Sequence, residues 1–172
     1  GHPIAGTERT GVEASFSSLF VGRRVVLTPL PETSAEAVAR VRAMWQAAGA
    51  EVVSMSVEHH DAVLAATSHL PHLLAYALVD MLARLDDSRE IFAYAAGGFR
   101  DFTRIASSDP VMWRDISLAN RDAIVGMLKK YRVEVDGLIA AVAAGDGAKL
   151  ETLFARAKAA RDALVTNDPK KD

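Results

Sequence analysis

A mainly helical protein is the fold class this sequence predicts, with a helical dimerisation domain preceded by the last strand–helix–strand elements of an α/β sheet. Three observations predict it. Residues 1–57 alternate β-branched and amphipathic stretches with short links between them. No strand signal follows Ser56. The helical remainder carries more apolar stripe than four or five helices can hide from one another.

The elements follow in chain order. "GVEASFSSLF" reads as a short helix, and "RRVVLTPLP" as a β-branched strand stopped by Pro29 and Pro31. "TSAEAVARVRAMWQAAG" is a helix. Thr33 and Glu36 have capping-box spacing, Val38, Val41, Met44 and Trp45 recur three or four apart, and Gly49 is its C-terminal stop. "EVVSMS" is a second strand. Two strands do not make a stable α/β domain, so residues 1–57 read as the tail of a larger sheet and residues 58–172 as a separate helical domain.

In that second part "VEHHDAVLAATSHLPHLLAYALVDMLARL" is one long apolar helix with Pro71 inside it. "REIFAYAA" follows, ended by Gly97-Gly98, and "FRDFTRIASS" supplies a helical turn or two. Asp109-Pro110 places an N-cap ahead of a first-turn proline. "NRDAIVGMLKKYRVEVDGLIAAVAAG" repeats Ile124, Leu128, Tyr131, Val135, Leu138 and Val142 at helical spacing. It is apolar on more than one side, which in a chain this small points to a subunit interface. "DGAKLETLFARAKAARDAL" is the last helix, and "VTNDPKKD" a polar tail.

Composition narrows the function. The 172 residues carry 20 Lys and Arg against 22 Asp and Glu, a net charge of -2 that favours no nucleic-acid or polyanion partner. The absence of cysteine excludes disulfides and thiolate chemistry and fits a reducing compartment. No apolar run approaches the ~20 residues of a membrane span, and no secretory leader is visible. A soluble, cytoplasmic protein is expected, with no membrane partner.

Five histidines are available: His2, His59, His60, His69 and His72. His69 and His72 share a helical face. They read either as a pair of metal ligands or as one buried, hydrogen-bonded ring and one lining a cleft. Zinc on a helix usually recruits an i, i+4 pair and a third ligand, so no metal is expected. His59 and His60 begin a helix and read as solvated or capping. "FRDFTRIASSDPVMWRDI" is the densest polar stretch. It reads either as a solvated charged turn, with an Asp101–Arg104 pair at i, i+3, or as a partly buried anion site. The second reading rests on Phe99, Phe102, Ile105 and Trp113, which interleave with arginines suited to forked binding of a carboxylate. No nucleotide-binding, Walker, GxSxG or HExxH motif is present.

Four stretches in order, "HPIAGTERTG", "LFVGRRVVLTP", "EHHDAVLAATSHLPHLLAYAL" and "GGFRDFTRIASSDPVMWRDI", resemble the prephenate dehydrogenases, a group that includes arogenate and cyclohexadienyl dehydrogenases. The likeness runs from residue 2 to about residue 120. It implies a Rossmann-type dinucleotide domain joined to a helical, dimerising domain. It also implies oxidative decarboxylation of prephenate to 4-hydroxyphenylpyruvate with NAD or NADP, in tyrosine biosynthesis. The glycine-rich loop of such a domain is missing here and is expected ahead of Gly1. The chain is therefore expected to be a fragment, inactive alone and a weak binder of NAD. The other function class is a non-catalytic helical dimerisation or aromatic-acid-binding module.

The resemblance assigns roles by position. His2 matches the catalytic histidine, which takes the hydroxyl proton as hydride leaves. Arg104 matches the substrate-carboxylate arginine, with Arg100 beside it. Glu8 and Asp101 match acidic residues whose ion pairs gate the cleft. Trp113 matches an aromatic near the substrate. His72 is expected to face the ligand and His69 to line the cleft. The serine that orients the catalytic histidine in the family is expected upstream. Prephenate or arogenate is the implied substrate, and a homodimer the implied assembly.

Overall fold

The computed structural model describes residues 1–5 and 11–166; Glu8 and the tail beyond Thr166 lie outside them. The fold is the expected one, a small sheet followed by helices. Its contacts divide the chain into two units, residues 1–127 and 128–172.

In the first unit, β1 (His2–Pro3), β2 (Arg24–Leu27) and β3 (Glu51–Ser54) form one sheet in the order β1-β2-β3. β1 runs antiparallel to β2, with His2 opposite Val26, and Ile4 N–H donates to the Arg24 carbonyl at 2.8 Å. β2 and β3 are parallel, from Arg24 opposite Glu51 to Leu27 opposite Ser54. Their crossover is α1 (Ala35–Ala47). Val25, Leu27 and Ala50 form the core here, with Phe20, Val38, Trp45 and Val52 packed on it. Arg42 ties α1 to β3 by donating to the Val52 carbonyl at 2.7 Å and Ser54 Oγ at 2.6 Å.

Local details correct the sequence reading at several points. The cap of α1 is Ser34, whose Oγ accepts from Ala37 N–H; Thr33 Oγ1 is taken by Leu30 N–H at 2.9 Å. Glu36 bonds to Arg40 one turn on, so no capping box closes. The helix read into residues 11–20 is a single 3₁₀ turn, Val12–Ala14. Gly49 does stop α1, at φ 84°, where its N–H closes on the Gln46 carbonyl.

The long helix is continuous from Val57 to Ala83 and has a defect at its centre. α2 (Val57–Leu64) passes into a π-helical turn, Ala65–His69, and then α3 (Leu70–Ala83). The turn answers Pro71, which lacks an N–H and whose ring crowds the carbonyl four residues back. Leu70 N–H reaches back five residues to the Ala65 carbonyl. At 27 residues this helix is long and apolar enough, by length and composition, to cross a membrane. That corrects the expectation that no run approaches spanning length.

Next come α4 (Ser88–Ala93), α5 (Gly97–Thr103), a 3₁₀ turn (Arg104–Ser107) and α6 (Pro110–Ala119). Gly97 and Gly98 begin α5 rather than merely ending α4. Asp109 caps α6 as expected, Oδ1 accepting from Met112 N–H at 2.8 Å. Tyr76 on α3 donates to the Ser108 carbonyl at 2.7 Å, fixing the start of α6 to the long helix. α7 (Arg121–Ala143) runs across the boundary between the two units, and α8 (Gly147–Thr166) lies in the second. On α7, Val133, Ile139 and Val142 are each more than 60% exposed, an apolar surface left open by the single chain.

Candidate functional site

The site begins at the sheet edge. The pairing of β1 with β2 fixes the backbone of His2, whose half-buried ring turns toward α2. His2 Nδ1 lies 2.8 Å from His60 Nε2, and the rings meet edge to face at 5.1 Å. His60 Nδ1 in turn lies 2.9 Å from Asp61 Oδ1. Burial, then the neighbouring His60 ring and the N-terminal ammonium, hold the His2 pKa below the usual histidine value.

A second chain of contacts runs through Asn120, in the link between α6 and α7. Its Nδ2 donates to the Asp61 main-chain carbonyl at 2.9 Å and lies 3.1 Å from His69 Nδ1. A carbonyl only accepts, so the amide nitrogen faces both groups. His69 Nδ1 is therefore the acceptor, and neutral His69 carries its proton on Nε2. His69 is 8% exposed. Its pKa is lowered mainly by burial and then by the charges of His2, His60 and His72, partly offset by Asp61. Four imidazoles thus share one electrostatic neighbourhood.

Trp113 closes this region. His72 stacks on its indole at 3.8 Å between ring centroids, and His69 meets it edge to face at 6.0 Å. The indole N–H is buried with no hydrogen-bond partner among the described residues, so packing alone holds the ring. His72 Nδ1 donates to the Ser68 carbonyl at 2.8 Å, which leaves Nε2 as the acceptor of the neutral ring. The π turn sets these positions, because it carries His69 and ends just ahead of His72.

Of the residues expected to form a site, the structure brings together His2, His69, His72 and Trp113. Arg100 and Asp101 are exposed on α5 and make no ion pair among the described residues; Arg104 opens the 3₁₀ turn that packs against α3. Sequence reasoning missed three residues. His60, read as solvated or capping, is partly buried and bonded to His2; the capping is done by Ser56, whose Oγ accepts from His59 N–H at 3.2 Å. Asp61 and Asn120 were not singled out at all. The one available signal was the adjacent His60-Asp61 pair, since a carboxylate beside an imidazole commonly orients it.

The described residues do not build a pyrophosphate cradle. Neither strand-to-helix link, Thr28–Ser34 or Met55-Ser56, contains glycine, and each helix N-terminus is closed by its own serine.

Comparison with known proteins covers both parts of the chain. Residues 56–156 match the family model described as prephenate dehydrogenase, dimerization domain, and residues 1–54 the one described as prephenate dehydrogenase, nucleotide-binding domain. The chain is 42% identical over 168 residues to a cyclohexadienyl dehydrogenase of Zymomonas mobilis, covering 96% of this chain and 57% of that protein. It is 39% identical to a prephenate dehydrogenase of Bacillus subtilis, covering 95% and 44%. The chain thus spans about half the length of these curated relatives. Among solved structures, a prephenate dehydrogenase from Aquifex aeolicus in complex with hydroxyphenyl propionate and NAD+ aligns with a TM-score of 0.88 at 39% identity, over 95% of this chain and 57% of that one. A Synechocystis arogenate dehydrogenase aligns with a TM-score of 0.81 at 29% identity, over 95% and 60%.

Proposed function

This chain belongs to the prephenate dehydrogenase family, and from that premise we propose that it carries the substrate side of an enzyme that oxidatively decarboxylates prephenate to 4-hydroxyphenylpyruvate on the route to tyrosine. The observation that carries the reading is the clustering of His2 with His69, His72 and Trp113, with burial favouring the neutral form of His2. The substrate's ring carbinol must lose a proton from oxygen and a hydride from carbon, and its ring carboxyl must leave as carbon dioxide. Both losses lead to an aromatic ring, so positioning and proton removal are the protein's task. NAD or NADP supplies the hydride acceptor when bound, and the described residues do not cradle it.

In this reading neutral His2 accepts the hydroxyl proton as general base. Arg104 holds a substrate carboxylate through its planar fork, with Arg100 adding positive charge. Trp113 forms a wall of the cleft, His72 offers its Nε2 to the ligand, and the buried His69 supports the wall. Glu8 and Asp101 gate entry by ion pairing with the arginines. Residues 1–57 belong to the nucleotide-binding domain and residues 58–172 to the substrate-binding and dimerisation domain.

The exposed apolar side chains of α7 and the apolar helix Val57–Ala83 support a homodimer that buries roughly 2,000 Å² or more. That helix carries His60, Asp61 and His69 of the polar network, which favours a place in the protein interior and subunit interface over a membrane. A cytoplasmic location without a nucleic-acid partner fits the charge balance.

The test is made in the full-length protein, with prephenate and arogenate offered separately and formation of reduced cofactor and aromatic product followed. His2→Asn is expected to lower kcat by about 10²–10⁴-fold with little change in KM. A kcat within a factor of three of the parent would remove His2 from the mechanism.

A further inference from the structure

We propose that Asp61, acting through His60, holds His2 in the single tautomer able to accept a proton at Nε2. The inference rests on the reading of His2 as the proton acceptor and adds two positioning residues to it.

The argument follows the hydrogens along the chain of contacts. An ionised carboxylate accepts hydrogen bonds and gives none. The 2.9 Å contact between Asp61 Oδ1 and His60 Nδ1 therefore places a hydrogen on His60 Nδ1. With that nitrogen protonated, the neutral His60 ring has a bare Nε2. His60 Nε2 sits 2.8 Å from His2 Nδ1, so the hydrogen of that bond comes from His2 Nδ1. A neutral imidazole carries one ring hydrogen, and His2 Nε2 is left with its lone pair. No hydrogen bond of His2 Nε2 to another side chain occurs among the described residues. When His2 takes a proton there, the positive ring still points its Nδ1–H at His60 Nε2, and the Asp61 carboxylate at the far end stabilises the charge. Were His60 to present Nε2–H instead, neutral His2 would hold its hydrogen on Nε2 and could not act as the base.

The arrangement extends by one ring the logic of a carboxylate that fixes the tautomer of a catalytic imidazole. There, loss of the carboxylate's acceptor role costs about 10⁴-fold in kcat because the wrong tautomer forms. Here the carboxylate acts at one remove and its side chain is 40% exposed, so a factor of about 10–100 is expected. The main chain of Asp61 has a separate task, since its carbonyl accepts from Asn120. Side-chain substitutions at Asp61 leave that carbonyl in place.

Tautomers are read directly by long-range proton–nitrogen correlation spectra of protein labelled with ¹⁵N-histidine, recorded above pH 7.5. His2 and His60 are both expected as Nδ1–H forms. In Asp61→Ala and in Asp61→Asn, the His2 signals are expected to move toward a mixture of tautomers. In the full-length enzyme Asp61→Ala and His60→Phe should each lower kcat by about 10–100-fold with KM within twofold. The double variant should be no slower than His60→Phe alone, because Asp61 works only through that ring. An Nε2–H His2 in the unaltered protein overturns the proposal, as does a double variant whose losses multiply. If the spectra agree but Asp61→Ala leaves kcat unchanged, the proposal also fails. Failure of the base reading is a distinct result: a near-normal His2→Asn enzyme, whatever the spectra show.

Discussion

Asn120→Asp exchanges one atom of a side chain that serves two acceptors, and its consequence can be worked from the contacts. In the parent, Asn120 Nδ2 gives one hydrogen to the Asp61 carbonyl at 2.9 Å and the other to His69 Nδ1 at 3.1 Å. An aspartate there brings a carboxylate oxygen against the Asp61 carbonyl, which only accepts, and against His69 Nδ1, which can donate only in the other tautomer. The hydrogen bond to the Asp61 carbonyl is lost and that acceptor is left unsatisfied, while neutral His69 must change tautomer to give an Nδ1–H to the carboxylate, so a loss of about 1–3 kcal/mol is expected at pH 8. The pH dependence has a definite sign. In the parent, the folded-state pKa values of His2 and His69 are lowered. Their contribution to stability is present above the unfolded-state value, about 6.5, and is lost as pH falls through the folded-state values. In the variant the new carboxylate raises the His69 pKa, because it favours the charged ring and bonds it more strongly than the neutral one. That contribution is present below about pH 6.5 and lost as pH rises through the raised value. The deficit of the variant should therefore shrink on acidification. Urea unfolding at pH 8 and pH 5.5 measures both terms, and Asn120→Ala, which adds no charge, is the control. A deficit of Asn120→Asp equal at the two pH values, or an Asn120→Ala variant as stable as the parent at pH 8, would refute the bridging role of Asn120.

Two further outcomes are expected. Arg104→Ala in the full-length enzyme should raise the substrate KM strongly, a loss of about 2–5 kcal/mol for a charge-assisted pair in a partly dry cleft, with cofactor affinity unchanged; Arg104→Lys should fall between, and a KM within twofold of the parent would show that Arg104 does not anchor the carboxylate. Gly49→Ala should lower stability by about 1–2 kcal/mol from the left-handed backbone alone, and by more because its Cβ would lie 3.0 Å from Val21 Cγ2 and 3.2 Å from Val21 Cα; thermal unfolding checks this.

Much of the fold was legible because it is locally encoded. The apolar spacing of α1 and α7, the Gly49 stop and the Asp109-Pro110 start each depend on residues within one or two turns, and the structure has them where the sequence places them. The family, too, was legible from four short motifs in order, which match across both parts of the chain. Errors came where neighbouring residues compete for the same local task. Thr33 and Ser34 can both cap α1, and the loop around Leu30 takes Thr33. Gly97-Gly98 can end one helix or begin another.

The polar core of the site was decided by tertiary structure. His2 and His60 are 58 residues apart, and Asn120 and His69 are 51 apart. Neither pairing has a period or a spacing that a sequence can display. The first exists because the β1–β2 register fixes His2, the crossover returns the chain to β3, and α2 then starts beside the sheet; the second because Tyr76 ties the start of α6, at whose end Asn120 lies, to the long helix that carries His69. The π turn belongs with them. Pro71 announces a strained helix, but whether the chain kinks, breaks or inserts a residue depends on what packs around it. Here the inserted residue sets the turn that leaves the His69 and His72 rings against Trp113. The sequence by itself determined the main helices, the two longer strands and the family, since those rest on short-range sterics and hydrogen bonds. Only the folded chain decided which nitrogen of which histidine meets which acceptor, since that depends on distances between residues the chain order keeps apart.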